Sequence, residues 1–246
     1  MDETLAQPPP PALRELAKAG AIAVFLDFDG TLVEIAPSPD CISVPPDLGE
    51  RLAVLARRLD GRLAMISGRA IEDLETHCGP LSIACAGSHG AVVRTAGGGV
   101  ARSADGLPTP VLAEVTEWSR KNGVDLEVKP HGVALHSRAR PHLEESCAAF
   151  LEGVAERNDL SVKRGKRVAE LVSAGVSKAG AVRQFMAAVP FIGATPIFIG
   201  DDITDEDGFA ACAELGGFGI AVGDRVSAGA RFALPDPAAV IKWAEL

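Results

Sequence analysis

Two hydrophobic patterns alternate along the first 86 residues of the chain. Residues 21–26 form a short, uninterrupted apolar run that ends at Asp27. A predicted helix with leucines at helical spacing follows over 46–59. The alternation continues with a strand over 62–66, a helix over 70–77 and a strand over 82–86. An apolar run without alternation is typical of a parallel strand that is covered on both faces. The pattern therefore predicts an α/β fold with a parallel, Rossmann-like sheet.

The pattern changes in the middle of the chain. Two predicted helices lie there, over 111–121 and 143–157. They are interleaved with strands of alternating polar and apolar positions, over 125–128, 133–137, 160–163 and 168–172. Such alternation favours an antiparallel sheet with one open face. The first pattern then resumes with a helix, a buried strand and a terminal helix, over 177–188, 196–200 and 238–246. We expect a core made of 1–104 and 174–246, with an α+β cap domain inserted over 105–173.

The composition excludes several classes of partner. The net charge of −9 disfavours nucleic acid, because phosphate backbones are bound by clustered lysines and arginines. No apolar run approaches the roughly 20 residues of a membrane helix, and the acidic start, Met1 to Glu3, lacks the basic residues of a signal peptide. We therefore expect a cytoplasmic protein, a monomer without membrane or nucleic-acid partners. The five cysteines form no CxxC pair and are interpreted as small core residues.

Two acidic clusters follow apolar strands that lie far apart in the sequence. The first is the segment 27–31, DFDGT, and the second is 201–205, DDITD. Each alone also fits a solvated turn, since Asp and Gly are common turn residues. At the carboxyl ends of parallel strands, however, the two clusters would meet in one crevice. Carboxylates gathered there repel one another unless a cation neutralises them, and Mg²⁺ is the divalent ion that prefers such oxygen ligands.

Phosphoryl transfer requires the residue types found at these positions. Asp27 is a candidate nucleophile that would form an acyl phosphate, and Asp29 could protonate the leaving oxygen and later activate water. Ser67 and Lys178 also stand at predicted element boundaries. With Mg²⁺, they would stabilise the negative charge of the transferring group, where most of the catalysis of this reaction resides.

The segments DFDGTL (27–32), SGR (67–69), Lys178 and GDDITDE (200–206) resemble the four ordered motifs of the haloacid dehalogenase (HAD) superfamily of phosphatases. The resemblance implies a HAD core with an inserted cap. It further implies Asp27 as nucleophile, Asp29 as acid and base, and Ser67 and Lys178 as phosphate ligands. The implied magnesium site consists of Asp27, Asp29 through its carbonyl, and Asp201, with Asp202 supporting it.

Five segments extend the resemblance to the trehalose-6-phosphate phosphatases: 87–90, 127–129, 134–138, 169–171 and 200–207. That family implies hydrolysis of trehalose 6-phosphate, with Glu127, Lys129 and Glu170 binding the sugar hydroxyls. His136 and Arg138 in the matching cap segment are further candidates for substrate binding. Arg69 and His89 join them, because each follows a predicted strand and adjoins a glycine.

The same residues also fit other substrates and functions. Val92 stands where the family usually has Glu, Ala179 where it commonly has Gly, and Ser137 where it has an aromatic residue. Glu127 and Lys129 share one face of a strand and also fit an ordinary surface ion pair. The alternative substrates are sucrose phosphate and glycosyl-glycerate or glycosyl-glycerol phosphates. A phosphoryl-transferring mutase and a non-catalytic sugar-phosphate sensor are the alternative functions.

Overall fold

The computed structural model of the protein describes residues 7–36, 41–165 and 167–246. Met1 to Glu3, whose acidic charge bears on the expected absence of a signal peptide, lie outside these residues. The chain divides into two compact units, Met1–Arg102 with Ser177–Leu246, and Ser103–Val176. Within the described part of the chain, no helix is long and apolar enough to cross a membrane.

The first unit is built on an eight-stranded sheet. Its strands are β1 (Ile22–Leu26), β2 (Leu63–Ile66), β3 (Ala84–Gly87), β4 (Val92–Arg94), β5 (Val100–Ser103), β10 (Thr195–Gly200), β11 (Phe218–Val222) and β12 (Ala230–Leu234). They lie in the order β12-β11-β10-β1-β2-β3-β4-β5. Neighbours from β12 to β3 pair in parallel, and β4 runs antiparallel to β3. The predicted parallel sheet is thus confirmed from β12 to β3, and the pair of β3 and β4 is antiparallel.

Helices cover both faces of this sheet. They are α1 (Leu13–Ala19), α2 (Leu48–Arg58), α3 (Ile71–Cys78), α6 (Lys178–Met186), α7 (Glu206–Glu214) and α8 (Pro237–Ala244). Alternate residues of β1 enter two separate cores: Val24 and Leu26 pack in the cluster that holds α2, α3 and α8, whereas Ala23 and Phe25 pack in the cluster that holds α6 and α7. Burial on both sides explains why the strand reads as a continuous apolar run.

The second unit is a four-stranded antiparallel sheet with two helices. Its elements are α4 (Thr109–Asn122), β6 (Asp125–Lys129), β7 (Gly132–His136), α5 (Glu144–Asn158), β8 (Leu160–Gly165) and β9 (Val168–Ser173). The strand order is β6-β7-β9-β8. Val133, Leu135 and Leu171 face the helices in one apolar core, and Trp118 stacks on Phe150 with ring centroids 4.6 Å apart. The expected antiparallel sheet with one apolar and one polar face is confirmed.

Four of the five cysteines match their interpretation as core residues. Cys78, Cys85, Cys147 and Cys212 are buried, and burial raises the pKa of the Cys85 thiol to about 11. Cys41 is exposed, contrary to the interpretation. Apolar packing thus accounts for the buried four, which are free thiols.

Candidate active site

Four neighbouring strands carry polar residues at their carboxyl ends. Asp201 follows β10, Asp27 follows β1, Ser67 follows β2 and His89 lies just after β3. Backbone hydrogen bonds extend the sheet into this edge: the Asp27 N–H donates to Ile199 O, the Ser67 N–H to Ala86 O and the His89 N–H to Ser67 O, each at 2.9 Å. Parallel pairing therefore brings together side chains that are up to 174 residues apart.

The ammonium group of Lys178 is buried between two carboxylates. Its Nζ lies 2.9 Å from Asp27 Oδ1 and 2.6 Å from Asp205 Oδ1, and no side chain of the three is more than 7% exposed. Burial disfavours the charged lysine, but Asp27 and then Asp205 outweigh it, so the pKa of Lys178 lies above its ordinary value. Burial raises the pKa of Asp27, and Lys178 opposes that rise. Two carboxylates share one ammonium, which leaves an excess of negative charge in a buried place.

The N-terminus of α6 fixes the position of Lys178. Ser177 precedes the helix with an extended backbone, and its Oγ accepts a hydrogen bond from the Gly180 N–H at 2.9 Å. Side-chain caps of this kind satisfy an N–H that has no partner within the helix. The predicted cap is confirmed. Lys178 is consequently the first residue of α6, and it points into the carboxylate pair.

Asp201 packs against the backbone of the loop that follows β1. Gly30 has φ +73, and a Cβ atom placed there would lie 2.1 Å from Asp201 Oδ2. The Thr31 hydroxyl donates to Asp201 Oδ1 at 3.5 Å. Burial, followed by the Asp205 and Asp202 carboxylates, raises the pKa of Asp201 to about 6. Only a glycine leaves room for this carboxylate so close to the chain.

The donor set fits a hard divalent cation. Oxygen atoms of Asp27, Asp201 and Asp205 lie within 4.8 Å of one another. Burial, followed by the charges of Asp205 and Asp202, raises the pKa of Asp201, and a cation at this point would favour its ionised form. Carboxylate oxygens are also the ligands that Mg²⁺ takes in proteins.

Asp205 is a site residue that the sequence alone did not single out. It is fully buried, and its Oδ2 accepts a hydrogen bond from the Asp202 N–H at 2.9 Å. Asp202 is exposed, and its side chain caps the short helix Ile203–Asp205 in return. The two carboxylates thus form a capping box, in which Asp205 turns inward to Lys178. Its place in the second acidic cluster was a signal, but the spacing does not tell which of the three carboxylates of that cluster points inward.

Arg69 is paired with the candidate acid and base. Its Nε and Nη2 donate to the two oxygens of Asp29 at 2.7 and 2.8 Å, and its Nη1 donates to Asp73 Oδ2 at 2.7 Å. The arginine side chain is 9% exposed, whereas that of Asp29 is 37% exposed. A planar guanidinium that binds both oxygens fixes the orientation of a carboxylate. The structure therefore brings Arg69 to Asp29 rather than leaving it extended into solvent.

Ser67 and His89 line the same open pocket, of about 230 Å³, as the carboxylates. The Ser67 side chain is buried at 1% exposure, and its Oγ accepts a hydrogen bond from the Arg69 N–H at 3.1 Å. His89 has a left-handed backbone, with φ 54 and ψ 31, and its ring would lie 2.7 Å from a Cβ atom at Gly68. The glycine next to Ser67 therefore makes room for the imidazole. The other residues of this pocket are Asp27, Asp29, Ile35, Gly68, Lys178, Asp201, Asp202 and Thr204.

The second unit holds the remaining predicted residues. Glu127 and Lys129 of β6 and Glu170 of β9 lie on the polar face of its sheet, as the strand register requires. Lys129 Nζ lies 2.5 Å from Glu170 Oε1, and His136 Nε2 lies 2.9 Å from Glu127 Oε2. Arg138 follows β7 and is exposed. Four of the five side chains thus form paired contacts on one face, and Arg138 lies beyond the strand.

Comparison with solved structures identifies the class of fold. The chain has a TM-score of 0.65 with a HAD-superfamily phosphatase from Bacteroides thetaiotaomicron, at 16% identity, covering 92% of this chain and 93% of that one. The TM-score is 0.71 with a trehalose-6-phosphate phosphatase from Aspergillus fumigatus, at 26% identity, covering 96% and 97%. The parallel sheet, its acidic edge and these likenesses define a phosphatase fold of the HAD type.

Sequence comparison identifies the family within that class. The family model of trehalose-phosphatase matches residues 25–231. The chain is 37% identical over 205 residues to the trehalose-6-phosphate phosphatase of Escherichia coli, covering 82% of this chain and 77% of that protein. It is 36% identical over 213 residues to a probable trehalose-phosphate phosphatase of Sinorhizobium fredii, covering 84% and 79%. The chain therefore belongs to the trehalose-phosphatase family, a family of phosphoric monoester hydrolases.

Proposed function

We propose that the protein is a magnesium-dependent phosphatase that hydrolyses trehalose 6-phosphate to trehalose and phosphate through an aspartyl phosphate on Asp27. The observation that carries the proposal is the buried group of Asp27, Lys178 and Asp205 beside Asp201, at the edge where the parallel strands end. Membership of the trehalose-phosphatase family supports the choice of substrate.

In the first step, an Asp27 carboxylate oxygen attacks the phosphorus atom in line with the bond to the sugar oxygen. A phosphorus–oxygen bond to Asp27 forms as the bond to the sugar breaks. Protonated Asp29 donates its proton to the departing sugar oxygen, so trehalose leaves as a neutral alcohol. Arg69 fixes the orientation of this carboxyl group by donating hydrogen bonds to its two oxygens.

In the second step, the ionised Asp29 takes a proton from water, and the water oxygen attacks the phosphorus atom. The bond to Asp27 breaks, Asp27 is released as a carboxylate, and inorganic phosphate leaves with the oxygen from water. Asp29 is then protonated again and ready for another turnover. We propose Arg69 as a positioning residue for Asp29, in place of the direct substrate contact that its sequence position suggested.

Lys178 and Ser67 would hold the oxygens of the transferring group. Lys178 is positioned by the α6 cap and is already 2.9 Å from the nucleophile, and the Ser67 hydroxyl lines the same pocket. Asp27, Asp201 and the Asp29 carbonyl would hold Mg²⁺, and Asp205 would keep Lys178 in place. When bound, Mg²⁺ supplies positive charge that stabilises the negative oxygens of the phosphoryl group.

The unit Ser103–Val176 is proposed as the cap domain that selects the sugar. Glu127, Lys129, His136 and Glu170 supply charged donors and acceptors on one polar face, as a polyhydroxyl ligand requires. Their present pairs would exchange partners for sugar hydroxyls. Two further candidates for contact with the same substrate are Arg138, which lies outside the paired group, and His89, which lines the pocket of the carboxylates.

A panel of phosphate esters tests this proposal. Release of phosphate should be fastest from trehalose 6-phosphate, compared with glucose 6-phosphate, sucrose 6-phosphate and a glycosyl-glycerate phosphate. It should stop with EDTA and return on addition of Mg²⁺. Asp27→Asn should abolish turnover without unfolding the protein. A flat substrate profile would refute the specificity, and full activity of Asp27→Asn would refute the mechanism.

A further inference from the structure

One arginine outside the four motifs binds the backbone of the acidic loop. Arg225 lies in the connection between β11 and β12. Its Nε donates to the carbonyl of Asp201 and its Nη2 to the carbonyl of Asp202, each at 3.0 Å. Its Nη1 donates to Glu206 Oε1 at 2.6 Å. A single guanidinium thus joins the loop after β10 to the first turn of α7.

Glu206 holds this arginine from the other side. The second oxygen of Glu206 accepts a hydrogen bond from the Gly229 N–H at 2.8 Å. A Cβ atom at Gly229 would lie 2.9 Å from that oxygen, so a glycine permits the close approach. Glu206 therefore binds both ends of the connecting segment 225–229, and Arg225 has little freedom to leave the carbonyls.

From this geometry we propose that Arg225 is a positioning residue for the magnesium site, and that it acts by fixing the orientation of the Asp201 carboxylate. The proposal rests on the proposed function, in which Asp201 is a metal ligand. Arg225 contacts the backbone behind the acidic loop and takes no part in the phosphoryl transfer itself.

The surroundings of Asp201 explain why its backbone must be held. On the pocket side the carboxylate lies over Gly30, and its hydrogen bond from Thr31 is long, at 3.5 Å. That contact is weak, so the direction of the side chain depends on the peptide units from which it projects. Arg225 binds the carbonyls of both Asp201 and Asp202 with charge-assisted hydrogen bonds. The planar fork of arginine suits two neighbouring carbonyls, whereas the single ammonium of lysine does not.

The test compares Mg²⁺ binding by the whole protein with and without this arginine. Arg225→Gln should weaken Mg²⁺ binding by about 10- to 100-fold, as is typical when a residue that orients a metal ligand is lost. Isothermal titration of the substrate-free protein with Mg²⁺ measures this directly. The rise in Tm on addition of Mg²⁺ should shrink in parallel, and kcat should recover at saturating Mg²⁺.

Arg183→Gln is the matched control. Arg183 also pairs with a glutamate of α7, since its Nη2 lies 2.6 Å from Glu214 Oε2, but that pair is exposed on the surface. This variant should bind Mg²⁺ as the wild type does. Arg225→Lys keeps the positive charge but cannot reach both carbonyls, so its Mg²⁺ affinity should also fall; it serves as the test if Arg225→Gln fails to fold.

The outcomes separate this inference from the proposed function. If the wild type binds Mg²⁺ and hydrolyses trehalose 6-phosphate, but the Arg225 variants bind Mg²⁺ with wild-type affinity, the inference is wrong and the proposed function stands. A role in stability alone would lower the Tm of the metal-free protein and leave the Mg²⁺ affinity unchanged. If the wild type does not bind Mg²⁺, or Asp201→Asn binds it equally well, the proposed metal site fails and the inference fails with it.

Discussion

Adding one methyl group at Gly30 should impair the active site more than it impairs the fold. Gly30 has φ +73, and its missing Cβ would lie 2.1 Å from Asp201 Oδ2, 2.3 Å from Cγ and 2.6 Å from Oδ1. Real Cβ contacts below 3.0 Å essentially do not occur, so in Gly30→Ala the carboxylate must move. The displacement falls on a proposed ligand of Mg²⁺.

The structure gives the size of the effect. The carboxylate must retreat by about 1 Å, and a misplacement of that size in an active site can reduce turnover about 100-fold. The left-handed φ adds a cost of about 1 to 2 kcal/mol in stability for an alanine. Gly193→Ala separates the two effects, because Gly193 has φ +78 but no atom within 4 Å of its Cβ position.

The assay combines kinetics with unfolding. Both variants should lose a similar free energy of unfolding in urea, whereas Gly30→Ala alone should lose kcat and need more Mg²⁺ for half-maximal activity. Gly193→Ala should keep the wild-type kcat. If Gly30→Ala retains the kcat and the Mg²⁺ dependence of the wild type, the Asp201 carboxylate does not act at the position found here, and the reasoning is refuted.

Three further predictions concern the helix cap, an ion pair and the proposed sugar face. Ser177→Ala removes the acceptor of the Gly180 N–H and should cost about 1 kcal/mol of stability in thermal unfolding; an unchanged Tm would contradict the cap. Hydrogen bonding to Arg94 lowers the pKa of Glu75. The wild type should therefore be more stable than Glu75→Gln above the ordinary glutamate pKa, and this difference should disappear as the pH falls through the lowered pKa of Glu75 in the folded protein. Unfolding curves measured from neutral to acid pH test this, and a stability difference that does not change with pH would contradict it. Lys129→Met should raise KM for trehalose 6-phosphate about 10- to 100-fold with little change in kcat; an unchanged KM would remove Lys129 from the sugar site.

The sequence predicted the central strands and their acidic ends because these strands are buried on both faces. The expected strands over 21–26 and 196–200 correspond to β1 and β10, Ile22–Leu26 and Thr195–Gly200. A strand with no solvent-facing side has no polar positions to interrupt it. The candidate nucleophile could therefore be located from the apolar run alone, one residue past its end.

Several of the elements that escaped prediction have weaker patterns. Helix α7, Glu206–Glu214, is built from small residues, and its Gly208 fits closely over the ring of Phe198, so the leucine spacing that marks other helices is missing. Strand β12, Ala230–Leu234, lies at the edge of the sheet and mixes exposed and buried positions. Strands β4 and β5 fall in a glycine-rich segment and near the other edge. Local pattern is a poor guide where packing depends on small residues or on an edge.

Contacts between distant segments explain the residues that the sequence did not reveal. The buried Asp205 is paired with Lys178, which lies 27 residues earlier in the chain. Arg225 reads as an ordinary surface charge, and only the fold brings its guanidinium to carbonyls 24 and 23 residues away. Arg69 was a candidate for substrate binding, and its two partners, Asp29 and Asp73, could not be inferred from its position in the motif.

Transfer of the phosphoryl group to Asp27 is the central claim, and trapping that group tests it most directly. The wild-type protein would be mixed with trehalose 6-phosphate and Mg²⁺, quenched in acid within the first turnover and digested for mass spectrometry. We expect the phosphoryl group on the peptide that contains Asp27, and none after Asp27→Asn is added to the same protein. A phosphoryl group on another side chain of the pocket, such as Ser67 or His89, would contradict the account.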